Sequence, residues 1–276
     1  MTMAQRGHYL SLSLPRRVVN DMLHFAHRVP SVPVERLIDV RSVRDLREKL
    51  PERLGWCALF LKAYGLVASR FPELRRAYMH VPKPRLYEHP HSIASVAIER
   101  SYRGNCEVFF GHIRAPETQS LVALQEHLRN YKEAPVEQVS LYRRALRVGR
   151  FPLPVRRLMW RYALHLSGPG RARRLGTFGL STYSALGAHS LHPLSPLSTT
   201  LNYSPVREEG TVAVRLVYDH RTMDGCTVAR ALGVLEDVFN DELLEEMRGL
   251  CAGMSANPIH EKVAAFAYRD QRRLAS

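Results

Sequence analysis

Residues 211–240, TVAVRLVYDHRTMDGCTVARALGVLEDVFN, constrain the fold more than any other stretch of the chain. From 211 to 218 valine and leucine alternate with smaller or polar residues, which predicts a half-buried strand. From Cys226 onward Val228, Leu232, Leu235 and Val238 recur at helical spacing, which predicts a helix. Asp219, His220, Arg221, Thr222, Met223, Asp224 and Gly225 join the two. A histidine leaving a strand end, an acid four residues later and a glycine able to take a tight turn suit a catalytic junction.

His220, Asp224 and Gly225 match the HxxxDG signature of the chloramphenicol acetyltransferase-like acyltransferases. The fuller Tyr218-Asp219-His220-Arg221-x-x-Asp224-Gly225 resembles the catalytic domain of the 2-oxoacid dehydrogenase dihydrolipoyl acyltransferases. The resemblance implies an α/β (α+β) fold, a mixed sheet flanked by helices. It extends to distant stretches. Phe60-Leu61-Lys62-Ala63 followed by Phe71-Pro72-Glu73-Leu74 is similar to the family's F-x-K-A…F-P-E-L passage, and Val29-Pro30-Ser31-Val32 stands at its entry into the first strand. Residues 176–183, GTFGLSTY, resemble a family strand whose Ser or Thr hydroxyl supports the transition state, which places Ser181 in that role. Ser195-Pro196-Leu197 occupies the place of an Asn-Pro-Pro loop.

Other positions depart from the pattern. Phe109-Phe110-Gly111-His112 replaces an aliphatic-proline strand, and aromatics there would reshape the pocket. Thr182 and Tyr183 replace the residues usual after the catalytic hydroxyl, so the local turn differs. In the wider superfamily an N-terminal arginine pairs with the aspartate of HxxxDG and stiffens the loop. By that resemblance Arg17, with Arg16 second, is the expected partner of Asp224.

A chain of 276 residues with 45% hydrophobic and 24% charged residues is globular and long enough for one large domain or two small ones. The resemblance favours one catalytic domain over 1–276, with 135–174 as a basic helical insertion and 241–276 as a C-terminal tail. Further strands are expected at 34–40, 92–99, 107–113 and 198–204, and helices at 43–54, 56–71 and 117–131.

The net charge of +14 is carried mostly by arginine and favours anionic partners: coenzyme A phosphates, an acidic acyl carrier protein, anionic lipid or nucleic acid. It is concentrated in residues 135–174, where ten arginines face a single acid, Glu137, and where Pro152 and Pro154 should divide the segment into two helices. Arginines interleaved with Trp160 and leucines over 151–166 could lie on an anionic membrane surface, dock an acidic carrier protein, cap the site as a lid, or simply be solvated. No reader motif accompanies the charge, so nucleic acid fits poorly.

Cys57, Cys106, Cys226 and Cys251 form no CxxC pair, and no carboxylate or thiol stands at ligand spacing from His189 and His192, so no metal is expected. Reduced thiols, no signal-type apolar core and no run near ~20 apolar residues predict a cytoplasmic protein, with peripheral membrane contact through 151–166 as an alternative.

A neutral imidazole, reference pKa ~6.5, can take a proton at neutral pH, so His220 is the expected general base for a thiol, hydroxyl or amine acceptor. Ser181 would donate to the oxyanion, Asp224 would hold the loop, and Gly225 would permit its turn. The acyl donor would be a coenzyme A thioester or the phosphopantetheine of an acyl carrier protein, transferring directly in a ternary complex. The resemblance also implies a homotrimer with His220 of one chain facing Ser181 of the next. No lipoyl domain, linker or subunit-binding domain is evident, which favours a stand-alone enzyme. The alternatives are a lipoyl substrate presented in trans and a non-catalytic scaffold that keeps the fold.

Overall fold

The strand predicted over 211–218 is the second of six in a mixed sheet of order β1-β8-β7-β6-β4-β5. The computed structural model describes residues 7–50 and 52–252. Its first half runs α1 (Leu14–Ala26), β1 (Ser31–Asp39), α2 (Arg41–Glu48), α3 (Trp56–Arg70), β2 (Arg76–Met79), β3 (Arg85–Glu88), β4 (Ile93–Tyr102) and β5 (Asn105–Arg114). Then come α4 (Leu121–Glu133), α5 (Ser140–Gly149), α6 (Leu153–His165), α7 (Gly168–Leu175), β6 (Phe178–Leu180), β7 (Thr199–Tyr203), β8 (Thr211–Asp219), α8 (Gly225–Val238) and α9 (Leu244–Cys251).

β8 is antiparallel to both its neighbours, β1 and β7. Flanked on both edges, it is buried from Val212 to Asp219. β6 runs parallel to both β7 and β4, and β5 closes the far edge as an antiparallel hairpin with β4. Alternation divides the sheet faces. Ala94, Val96, Ile98 and Ile113 point into the main core, where α3 is buried on most of its circumference and packs on α4 and α8. Ser95, Ala97, Phe110 and His112 point to the opposite face, beneath α1, α5 and α6.

Two expectations need correction. Residues 135–174 form three helices, not two. Ser167 caps α7, its hydroxyl accepting from the Gly170 N–H, and Pro169 fits the first turn because a proline there forfeits no helical hydrogen bond. The strand expected over 176–183 is only three residues long. Gly176 ends α7 at φ +88°, where a side chain would be strained and a Cβ would meet the Ile93 carbonyl at 2.9 Å. The tail from 241 opens helically, and Leu243, Leu244 and Met247 are buried in the core. Residues 253–276 of that stretch lie outside the described residues. The β2–β3 hairpin was not anticipated.

The basic segment is bound into the fold in part, while Arg143, Arg144, Arg147, Arg150, Arg161 and Arg173 are exposed. Arg156 is buried and donates through Nε to Asp21 at 2.6 Å, and Asp21 is fully buried on α1. Arg157 Nη1 donates to the Asp21 carbonyl at 3.2 Å. Arg171, also buried, donates to the carbonyls of Tyr78 and Pro196, each at 2.9 Å. Three of the ten arginines therefore tie α6 and α7 to α1, to the β2–β3 hairpin and to the loop before β7.

Candidate active site

The end of β8 is locked by one buried carboxylate. Asp219 accepts from Arg221 Nε at 2.9 Å, from Nη2 at 2.8 Å and from the Arg221 backbone N–H at 3.0 Å. Its own N–H donates to the Ser198 carbonyl at 2.8 Å, and its carbonyl accepts from the N–H and hydroxyl of Thr222. The Arg221 guanidinium lies 4.3 Å from the centre of the Tyr78 ring, so the fork is stacked as well as paired.

His220 is the residue this fork brackets. Its N–H donates to the Pro30 carbonyl at 3.1 Å, and its side chain is half exposed, with the ring 5.5 Å from that of Tyr218. Nδ1 is 3.6 Å from Asp224 Oδ1, too long for a firm hydrogen bond. Asp224 occupies the N-cap position of α8, yet its side chain makes no capping bond and is 84% exposed. Gly225 does not adopt a left-handed conformation, so a tight turn is not its purpose. A Cβ there would stand 3.2 Å from the Tyr218 hydroxyl, and the glycine leaves room for that group.

Arg17 does not reach Asp224. It lies in the first turn of α1 and donates through Nε to the Leu12 carbonyl at 3.2 Å. The end of α1 near His220 is the other one, leading to Pro30, and the helix between is roughly 15 Å long. Arg16 instead lines a large cavity. The stiffening expected of an Arg17–Asp224 pair is supplied by Arg221 and Asp219, whose spacing is visible in the sequence but was given no role.

Ser181 follows β6. Its N–H donates to the Leu201 carbonyl at 3.1 Å, and its carbonyl accepts from the side-chain amide of buried Asn202. Its hydroxyl makes no hydrogen bond among the described residues and lines a cavity of about 1010 Å³. Asn202, which positions this residue, was missed because an asparagine in a strand carries no distinctive signal.

His220 and Ser181 of one chain do not meet. Ser181 is level with Asn202, which pairs with Arg215. The five residues from Arg215 to His220 separate the two levels by roughly 17 Å along the strand, with ~10 Å more across two strand spacings. His189 and His192 lie in the loop between β6 and β7, where His192 Nε2 pairs with the Ser31 hydroxyl at 2.8 Å. Among the described residues no group of three or more His, Cys, Asp or Glu could hold a metal ion. No described helix is long and apolar enough to cross a membrane.

No family model matches the chain, and no curated protein sequence matches it. Solved structures do. The dihydrolipoamide acetyltransferase of Azotobacter vinelandii superposes with a TM-score of 0.62 at 18% identity, over 86% of this chain and 93% of that one. A probable dihydrolipoamide acetyltransferase from Listeria monocytogenes gives 0.59 at 15% identity, over 85% and 94%. A chloramphenicol acetyltransferase gives 0.51 at 14% identity, over 80% and 94%. These likenesses establish the fold, that of the chloramphenicol acetyltransferase-like acyltransferases. In the Azotobacter protein a serine, a histidine and an asparagine four residues after it were investigated for roles in catalysis. Asp224 stands at that spacing from His220.

Proposed function

We propose that the chain is an acyltransferase that moves an acyl group from a thioester to a thiol, hydroxyl or amine acceptor. The observation that carries this reading is the emergence of His220, exposed, from a buried and ion-paired turn at the end of β8, within an acyltransferase fold.

The half-exposed imidazole of His220 takes the proton of the acceptor as it attacks the thioester carbonyl carbon. The carbon–sulfur bond breaks, the proton returns to the departing thiolate, and no covalent enzyme intermediate forms. The Ser181 hydroxyl, without a hydrogen-bond partner among the described residues, donates to the oxyanion that develops. Because the two side chains lie far apart in one chain, the complete site takes His220 from one copy and Ser181 from another. A cyclic homotrimer closes such a head-to-tail contact. Asp219 and Arg221 keep the histidine aimed, and Asp224 adds a negative charge beside its ring. A coenzyme A thioester or a carrier-protein phosphopantetheine is the donor, and the arginine-rich surface suits either.

A second reading follows from the higher TM-scores to dihydrolipoamide acetyltransferases: a dihydrolipoyl group carried on another protein would be the acceptor. Thiol release from a panel of acyl-CoAs and acyl carrier proteins, with free dihydrolipoamide as one acceptor, tests both. Turnover that His220→Ala leaves unchanged would remove the enzymatic reading and leave a non-catalytic scaffold. Transfer confined to dihydrolipoamide would establish the second.

A further inference from the structure

The cavity of about 1010 Å³ is at the top of the ~300–1,000 Å³ range of small-molecule sites. Its floor is the sheet face turned away from the core, including Ala97 and Phe110. Its roof is α1, through Val19 and Met22, and α6, through Leu158 and Tyr162. Ser181 stands on its wall at the end of β6.

The lining is mostly apolar, but among the described residues it carries four arginines, Arg16, Arg144, Arg161 and Arg174, and no acid. Arg174 is the anomaly. Its Nη1 is buried without a hydrogen-bond partner among the described residues, and its guanidinium lies 5.0 Å from the centre of the Tyr162 ring. His165 Nδ1, on the same cavity, is likewise buried and unpartnered. A guanidinium cannot shed its charge, and leaving buried donors unmatched is costly. Arg144, also on the wall, is near enough to Arg174 for their charges to oppose one another. A partly buried guanidinium with an exposed second cation near it, beside a mostly apolar chamber with no acid among its described lining residues, describes a receptor for an anion that carries hydrocarbon.

We propose that this cavity binds an amphipathic anion, a long hydrocarbon acyl chain lying between α1 and α6 with its anionic group held by Arg174 and Arg144. The identification of the chain as an acyl group rests on the acyltransferase reading, because Ser181 would face the reacting carbonyl. The affinity for a long-chain anion does not. Arg174 precedes β6 and Ser181 follows it, so roughly 10–15 Å of strand separates the two ends. An anion on Arg174 could be the far end of a carboxyl-terminated acyl chain or belong to the carrier that delivers it.

Binding is measured on the full chain with dodecanoate, dodecanol and butanoate below their micelle concentrations, for wild type, Arg174→Met and Ala145→Trp. Ala145 lines the cavity from α5, and the larger side chain would fill it. Dodecanoate should bind at least about a hundredfold tighter than butanoate, because each buried methylene contributes up to ~0.8 kcal/mol. Dodecanol should bind about tenfold more weakly than dodecanoate. Arg174→Met should erase that difference, and Ala145→Trp should abolish binding of both, with unfolding temperatures near wild type. Chain-length independence, or dodecanoate binding untouched by Ala145→Trp, overturns the proposal. A turnover series of alkyl and ω-carboxyalkyl thioesters, on coenzyme A and on phosphate-free pantetheine, locates the anion. Tight dodecanoate binding without turnover of any thioester would overturn the enzymatic reading and leave the cavity assignment standing.

Discussion

The Asp219 carboxylate is gripped by Nε and Nη2 of Arg221, two residues on, and the histidine between them is thereby turned out of the sheet. Within the chain this fork does the work that a partner of Asp224 was expected to do. Asp219 is 2% exposed, so removing its cation leaves a buried charge.

Arg221→Met should therefore lower stability by about 1–3 kcal/mol, and Arg221→Lys by less, since a lysine makes one bond where the fork makes two. Both should cut turnover more than they weaken substrate binding, because the loop is loosened rather than the pocket reshaped. Thermal unfolding and steady-state kinetics of the two variants check this.

Ser181→Ala and His220→Ala should each reduce turnover by about 10²–10³-fold while leaving the unfolding temperature nearly unchanged, for neither side chain makes a strong internal bond. Co-expression of the two variants should restore activity to about a quarter of wild type, the share of all contacts in which an intact histidine meets an intact serine. Absence of rescue in purified mixed assemblies would place the site within one chain.

The Asp21–Arg156 pair makes a structural prediction. Arg156→Met leaves a fully buried carboxylate with only the more distant Arg157, 3.5 Å away, and should cost about 3 kcal/mol or more. Arg161→Glu on the exposed side of the same helix should cost under ~0.5 kcal/mol. Urea denaturation of both variants measures the difference.

Stability should also fall on mild acidification. Burial, with nearby arginine charge adding to it, pushes the pKa of His89, His112 and His165 down to about 4. In the unfolded chain these rings take up a proton near pH ~6.5. Their depressed values mean stability that is fully present above that pH and is lost as pH falls toward 4. His89, 2% exposed, accounts for up to about 3 kcal/mol by itself. The unfolding temperature should be level above pH 7 and decline from 6.5 to 5, and His89→Gln should flatten the decline.

The sheet was legible wherever local pattern and burial agree. β8 alternates along its length, β4 and β5 are apolar up to the hairpin that joins them, and the helix after Cys226 shows its face plainly. β6 was overestimated because GTFGLSTY has strand-like composition, while its pairing ends at Leu180. His220 and Ser181 stood out through motif, but the residues that hold them did not. Asp219, Arg221 and Asn202 act through contacts across strands or within a turn, and Arg17 was misassigned because sequence does not reveal which end of α1 approaches His220. The inward direction of Arg156 and Arg171 was equally invisible. Composition counts an arginine the same whether it faces water or a buried acid.

The strand-length gap between His220 and Ser181 has a bearing on handling the protein at low concentration. On the proposed mechanism a solitary polypeptide would hold two half-sites and no whole one, so specific activity should collapse below a threshold concentration and return on reassembly.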